Sequence, residues 1–386
     1  MSDPDSTYSP PKTGLILSGG GARAAYQVGA LKAIIRILPQ DTANPFPIVC
    51  GTSAGAINAT ALAIYATRFH EGVLQLLRVW KSMHVENIFR SDAIGITTNS
   101  LHWLAALCSG GLGRFGPHAM LERGPLYRLL KSYLRCQEIQ KSINAGALHA
   151  LSITASGYNS GQSVTFYQGD ASIKPWRRAQ RIGCPCSITV DHLMASSAIP
   201  FIFSAVKINR EYFGDGSMRQ LAPLSSALHL GADRILSIGV NCWEEDQTPR
   251  QQNMSYPSMA QMGGHVLNSI FLDSMEVDIE RIRRINRTIN LIHSDQLEEA
   301  DVGLRKVDVM VINPSKEIDA IAAEYAHLLP RPVRYLLQGT GALNPNGSNL
   351  LSYLLFEERY CRDLIAMGYR DTMQRRDEVL QFLSPD

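Results

Sequence analysis

Three short stretches of this 386-residue chain set residues of suitable type close to glycine, and together they could do acyl chemistry. Gly51-Thr52-Ser53-Ala54-Gly55 has the Gly-x-Ser-x-Gly spacing of a nucleophile elbow, a sharp turn that exposes a serine hydroxyl between a strand and a helix. Side chains at Gly51 and Gly55 would collide with neighbouring backbone, and the N–H groups opening the next helix would face an oxyanion forming at the hydroxyl. Upstream, Gly19-Gly20-Gly21-Ala22-Arg23 offers a run of backbone N–H groups that suits negative charge. A phosphate loop is the weaker reading, since neither a Gly-Lys-Ser/Thr ending nor Gly-x-Gly-x-x-Gly spacing is present. Arg23 has two readings, a brace for the loop or a ligand for a phosphate headgroup. Asp215, between Gly214 and Gly216, is by itself a turn former; beside an elbow and an anion nest it becomes a candidate base.

A serine needs a base, and histidine is the usual one. None of the ten histidines sits in a motif that singles it out; His70, His84, His102 and His229 read as satisfied core or surface residues. A Ser–Asp–His triad through His265 or His293 stays open as an alternative.

The elements that must position these groups follow from the hydrophobic pattern. Gly14 to Ser18 reads as a buried strand, the three glycines as a turn, and Ala22 to Leu38 as a helix ended by Pro39. The same grammar repeats with a strand at 47–50, the Gly51–Gly55 turn, and a helical pattern from Ala56 to about Met83. Further strands are expected at 150–156, 163–168, 205–209, 234–240, 288–293 and 307–313, and helices at 269–289 and 350–383. This alternation predicts an α/β fold with a mainly parallel sheet. Segment 85–125, with a mostly apolar run at 98–108 and the Gly-rich SGGLGRFG after it, reads either as a lid or as an ordinary buried helix with an exit loop.

Apolar residues make up 45% of the chain and charged residues 19%, while 37 basic and 35 acidic side chains nearly cancel, so a globular protein is expected and coating of nucleic acid by net charge is not. No run of eighteen apolar residues lacks charge. Residues 1–13 read as a loose, non-secretory leader, and a cytoplasmic location is expected. The 7 cysteines lack a Cys-x-x-Cys pair, which argues against a disulfide frame or a zinc site; Cys184-Pro185-Cys186 reads as a turn with free thiols. Arg281, Arg283, Arg284 and Arg287 form the densest basic cluster, a solvated surface or a headgroup site.

Taken together, SGGGARAAYQVGAL at 18–31, GTSAGAINA at 51–59, and ASSAIPFIF through YFGDGS at 195–217 resemble the patatin-like phospholipases, serine acyl hydrolases that use a Ser–Asp dyad. The likeness extends over roughly residues 14–315. It implies a three-layer α/β/α sandwich, with 316–386 as a mostly helical extension. By position, Ser53 would be the nucleophile and Asp215 its base, and the N–H groups of Gly19, Gly20 and Gly21 would form the oxyanion hole. Arg23, Gly51, Gly55 and Gly216 would support them, and no metal or cofactor is needed. The family more often has Asp-Gly-Gly or Asp-Gly-Ala where this chain has Asp215-Gly216-Ser217, a small-for-small change. The implied substrates are fatty-acyl esters of phospholipids, lysophospholipids or glycerides, met at a membrane surface by peripheral contact, with 199–203 and 98–108 as candidate walls of an acyl groove. An acyltransferase or thioesterase using the same dyad, and a catalytically silent lipid-binding protein, are the alternatives.

Overall fold

The computed structural model describes residues 11–91, 119–242, 262, 273–292, 304–340 and 348–384. The core of the 85–125 segment, the 98–108 run, the leader's first ten residues, and His102, His265 and His293 lie outside the described residues.

Among the described residues ten strands form one sheet: β1 (Thr13–Leu17), β2 (Ile48–Thr52), β3 (Ala150–Gly157), β4 (Ser163–Gly169), β5 (Trp176–Arg178), β6 (Arg181–Pro185), β7 (Val206–Ile208), β8 (Glu211–Asp215), β9 (Arg234–Ile238) and β10 (Asp308–Ile312). The order is β10-β9-β1-β2-β3-β4-β6-β5, with β8 also on β3 and β7 on β8. The five strands from β10 to β3 run parallel. Such strands must bury both faces, and their sequences accordingly read as unbroken apolar runs. Leu15, Leu17 and Val49 pack into one core, while Ile16, Ile48 and Cys50 pack into a second core on the opposite face. The result is three layers, each fully buried Leu or Ile contributing roughly 2 kcal/mol.

The first core holds helices α1 (Ala25–Ile37), α2 (Ala54–Ile64) and α3 (Phe69–Lys81). Helix α1 stops where Leu38 turns extended, as expected of a residue preceding Pro39. The single helix expected from Ala56 to Met83 is two, separated by a 3₁₀ turn at Ala66–Arg68. The reason is a change of burial pattern: α2 is buried almost all round, whereas α3 buries only Phe69, Gly72, Val73, Leu76, Leu77 and Trp80 at helical spacing. Four more helices complete the frame of the site: α4 (Gly124–Tyr133), α5 (Val190–Ser196), α6 (Ser225–His229) and α7 (Asp273–Ile289). Helices α6 and α7 cover the second face. Three others pack onto α1 and the 18–24 loop from the C-terminal side: α8 (Ile318–Tyr325), α9 (Ser348–Leu354) and α10 (Glu358–Gln374).

Two local expectations are corrected. Residues 288–293 were expected to be a strand, but Thr288 and Ile289 end α7 and Asn290–Ile292 form a turn, because Met275, Ile279 and Ile282 bury one helical stripe that carries the chain through. Cys184-Pro185-Cys186 is not a turn: Cys184 and Pro185 end β6, which pairs with β4, and both thiols are free.

The register of β3 is what matters for function. Strand β2 pairs with it from Ile48↔Ala150 to Thr52↔Thr154 and then ends, while β3 runs on and takes β8 on the same flank, with Ala155↔Asp215, Ser156↔Gly214 and Gly157↔Phe213. Strand β8 is antiparallel to β3, so the last residues of β2 and β8 meet end to end.

A buried polar relay ties the first-core helices to the Gly19–Gly21 loop. Trp80 Nε1 donates to Asn58 Oδ1 at 2.8 Å, Asn58 Nδ2 donates to Gln27 Oε1 at 3.0 Å, and Gln27 Nε2 donates to the Ser18 carbonyl at 2.8 Å. Gln27 and Asn58 are fully buried, so each broken link leaves groups without water to replace it. Asn58→Ala is therefore expected to lower the unfolding free energy by about 2 kcal/mol or more, read by urea denaturation; a loss within experimental error would show that the relay does not carry stability.

Candidate active site

Ser53 sits between the end of β2 and the start of α2 with φ 53° and ψ −127°, a backbone conformation that a non-glycine residue holds only when its surroundings force it. The forcing contacts are visible. A Cβ on Gly55 would come 2.2 Å from the Leu17 carbonyl oxygen, so the elbow is pressed directly against the end of β1. Gly51 is equally buried beneath the first turn of α2. The Ser53 N–H is fixed by Ser196, whose Oγ accepts it at 2.9 Å and donates to the Thr154 carbonyl at 2.7 Å.

Asp215 ends β8, is fully buried, and lies one register step beyond the Thr52–Thr154 pair. Its N–H donates to the Ala198 carbonyl at 2.9 Å and its Oδ1 accepts from the Ser217 N–H at 3.0 Å. Burial pushes its carboxyl up to about 6, against downward pulls from the Ser53 hydroxyl, from Ser217 and from Arg123. The Ser53 hydroxyl is thus near enough to act on the carboxyl, yet Oδ2 has no hydrogen bond of ordinary geometry among the described residues. The structure therefore brings the sequence-predicted pair together as neighbours, with one carboxyl oxygen left for a proton. A Cβ on Gly216 would lie 2.0 Å from the Thr154 carbonyl oxygen, so this residue too must be glycine for the carboxylate to reach its place.

Gly19, Gly20 and Gly21 are buried, and Gly21, at φ 55°, lines the same pocket as Ser53. The surroundings of Arg23 are those of a brace. The side chain is 3% exposed, paired with Asp319, donating to Ser352 Oγ at 2.8 Å and Asn241 Oδ1 at 2.5 Å, and stacked 4.1 Å over the Tyr353 ring. Its charge is spent on α8 and α9, so the C-terminal helices hold the glycine loop in place. The basic cluster Arg281, Arg283, Arg284 and Arg287 is exposed along α7, and Arg281 reaches Asp278 at 3.7 Å.

Ser53 opens into an apolar pocket. Its walls include Ile57 from α2, Leu76 and Trp80 from α3, Leu130 from α4, Phe203, and Phe356 just after α9. Ile199 and Phe203 of the expected 199–203 wall are there, whereas Phe201 points outward, 73% exposed, with φ 65°.

Two participants carried no signal that singled them out in the sequence. Ser196 was legible only as part of the ASSAIP block. Arg123, beside a helix start that resembles any solvated one, is 6% exposed: Nη1 donates to the Met194 carbonyl at 2.9 Å and to Ser197 Oγ at 3.2 Å, Nη2 donates to the Ser204 carbonyl at 2.7 Å, and the guanidinium lies 4.9 Å over Phe203.

Comparison with known proteins gives the following. The family described as patatin-like phospholipase matches residues 15–228, more than half of the chain. A calcium-independent phospholipase A2-gamma from Oryctolagus cuniculus is 23% identical over 281 residues, covering 69% of this chain and 32% of that protein; the chain thus spans about a third of the relative's length. The crystal structure of VipD from Legionella pneumophila aligns with a TM-score of 0.35 and 13% identity, over 96% of this chain and 67% of that one.

Removing one partner of a buried ion pair strands the other. Arg23→Ala is expected to cost on the order of 3 kcal/mol in urea denaturation, and Asp319→Asn less, because Asp319 keeps 21% of its side chain in water. Equal, negligible losses in both variants would show that the brace does not hold the loop.

Proposed function

The chain belongs to the patatin-like phospholipase family, and from that premise we propose that it is a lipid acyl hydrolase that works through a dyad of Ser53 and Asp215. The observation that carries this reading is the juxtaposition of a serine held at φ 53° in a strand-to-helix elbow, a buried carboxyl one register step away, and an apolar pocket opening from the serine.

In this reading Ser53 Oγ attacks the ester carbonyl while Asp215 Oδ2 takes the hydroxyl proton. The N–H groups of Gly19, Gly20 and Gly21 hold the oxyanion, each donor of such a hole being worth on the order of 3 kcal/mol. The intermediate collapses, the bond to the alcohol breaks, and Asp215 returns its proton to the leaving oxygen. Water then attacks the acyl-serine, giving its proton to Asp215, and the fatty acid leaves as Ser53 regains a hydrogen. An ordinary aspartate is a weak base for a serine; burial, by lifting this one to about 6, makes it a stronger base that is still ionised at neutral pH. The polar neighbours of the carboxyl are kept to a few donors, which preserves that basicity.

The pocket supports an acyl chain as the group bound beside Ser53, because its walls are aliphatic and aromatic side chains. Among the described residues no helix is long and apolar enough to cross a membrane. Peripheral contact with lipid is the mode we propose, supported by the exposed ring of Phe201, two residues from the pocket-lining Phe203.

The test is a panel of phospholipid, lysophospholipid, neutral glyceride and acyl thioester, each with and without an alcohol acceptor. Ser53→Ala and Asp215→Asn are expected to reduce release of fatty acid ~10⁴-fold; hydrolysis that persists in Ser53→Ala assigns the activity elsewhere, and acyl transfer that outruns hydrolysis assigns a transferase. The pH dependence has a defined sign. As pH falls through about 6, Asp215 takes up a proton and can no longer serve as base, so labelling of Ser53 by a fluorophosphonate should fall along an acid limb centred near that value. A limb centred near 4 would mean that burial does not set the basicity of Asp215.

A further inference from the structure

Three consecutive residues at the C-terminal end of α5 tie together three residues from distant parts of the chain. Ser196 Oγ accepts the Ser53 N–H, Ser197 Oγ accepts from Arg123 Nη1, and the Ala198 carbonyl accepts the Asp215 N–H. Arg123 is itself clipped in place, since the preceding segment bonds to the 201–203 turn through Met120 N–H to the Phe201 carbonyl and Leu121 N–H to the Ile202 carbonyl, at 3.0 and 2.9 Å. Its acceptors, two carbonyls and a hydroxyl, are all neutral, and no carboxylate lies within ion-pair distance of it among the described residues. A buried guanidinium in such surroundings is costly unless an anion lies nearby, and the buried carboxyl whose residue is bonded to the same 196–198 turn is that of Asp215.

The other charged or titratable groups around Asp215 do not replace it. Tyr158 and Tyr353 interact with Asp215 as phenols that stay neutral at physiological pH. On the packed elements, Asp191 of α5, Lys207 of β7, Tyr212 of β8 and Arg219 after β8 are exposed; Glu211 of β8 is half-buried; His192 of α5 is buried and held toward its neutral form. Tyr167 of β4 is a buried phenol.

We propose that Arg123 is a positioning residue for the Ser53–Asp215 pair: its buried guanidinium supplies the counter-charge that keeps the Asp215 carboxyl ionised, and its fork fixes the 196–198 turn on which both reacting groups depend. The inference rests on the dyad reading above. It separates two contributions of one side chain, charge and grip. Lysine keeps the first and loses the second, because a single ammonium cannot span the Met194, Ser197 and Ser204 acceptors at once.

The experiment is the pH profile of fluorophosphonate labelling at Ser53 in the full chain, for wild type, Arg123→Met, Arg123→Lys and Asp215→Asn, with thermal melts of each. Arg123→Met is expected to move the acid limb upward by on the order of one pH unit and to label at least tenfold more slowly at neutral pH. Arg123→Lys is expected to keep the wild-type limb with a lower plateau. A purely structural role would lower every plateau and leave the limb where it is, so an unmoved limb in Arg123→Met overturns the inference. If Arg123→Met fails to fold, Arg123→Gln, neutral but still able to donate a hydrogen bond to the Met194 carbonyl, takes its place, and an unmoved limb there overturns the inference in the same way. Failure of the dyad reading looks different, as wild-type labelling in Asp215→Asn, and that result overturns both.

Discussion

Water does not reach the Asp215 carboxyl, and the resulting price of carrying charge there governs the design around it. A displacement from 3.8 to about 6 corresponds to about 3 kcal/mol against the ionised form. Because the folded value lies above the unfolded one, this is stability present in full below the unfolded value and lost as pH rises through about 6. At neutral pH the fold therefore bears the strain of an anion it has dehydrated. That figure is what remains after the bond from Ser217, the nearby Ser53 hydroxyl and the field of Arg123 have pulled the carboxyl back, and two packed cores on opposite faces of the sheet bear it.

That carboxyl reaches Ser53 through strand lengths. Had β2 continued along β3, Ala155 would have paired with it and β8 would have had no edge to join. Ending β2 at Thr52 frees three residues of β3 for β8 and simultaneously starts the elbow. The same termination thus sets both groups of the proposed dyad, which is why their separation in sequence, Ser53 to Asp215, is no obstacle. Ser53's strained backbone is held from behind by the β1 end pressing on Gly55 and from the side by Ser196.

The parts that were legible in the sequence are those in which local sterics dictate residue type. Glycines at 19–21, 51, 55, 214 and 216 announce tight backbone, and apolar runs at 14–17 and 48–52 announce doubly covered strands. What was hidden is non-local. Register between β3 and β8 has no trace in either segment, the short strands β5 and β6 lack a sustained pattern, and a lone arginine before a proline-opened helix looks the same whether it faces solvent or a buried acid. Arg23 was ambiguous for the same reason, since its partners Asp319 and Ser352 come about three hundred residues later. The 288–293 stretch misled because Ile289, Leu291 and Ile292 resemble a strand when the helical stripe that precedes them is ignored.

The dependence of the glycine loop on α8 and α9 also orders events at the ribosome. Elbow, acid and loop are all made by residue 215, but the residues that grip Arg23, and the Tyr353 and Phe356 side chains that close the pocket, follow about a hundred residues or more later. At ordinary elongation speeds that is a delay on the order of ten seconds. A nascent chain thus carries Ser53 in an unlatched frame until α9 has been made, so the proposed acyl chemistry waits for its pocket to close.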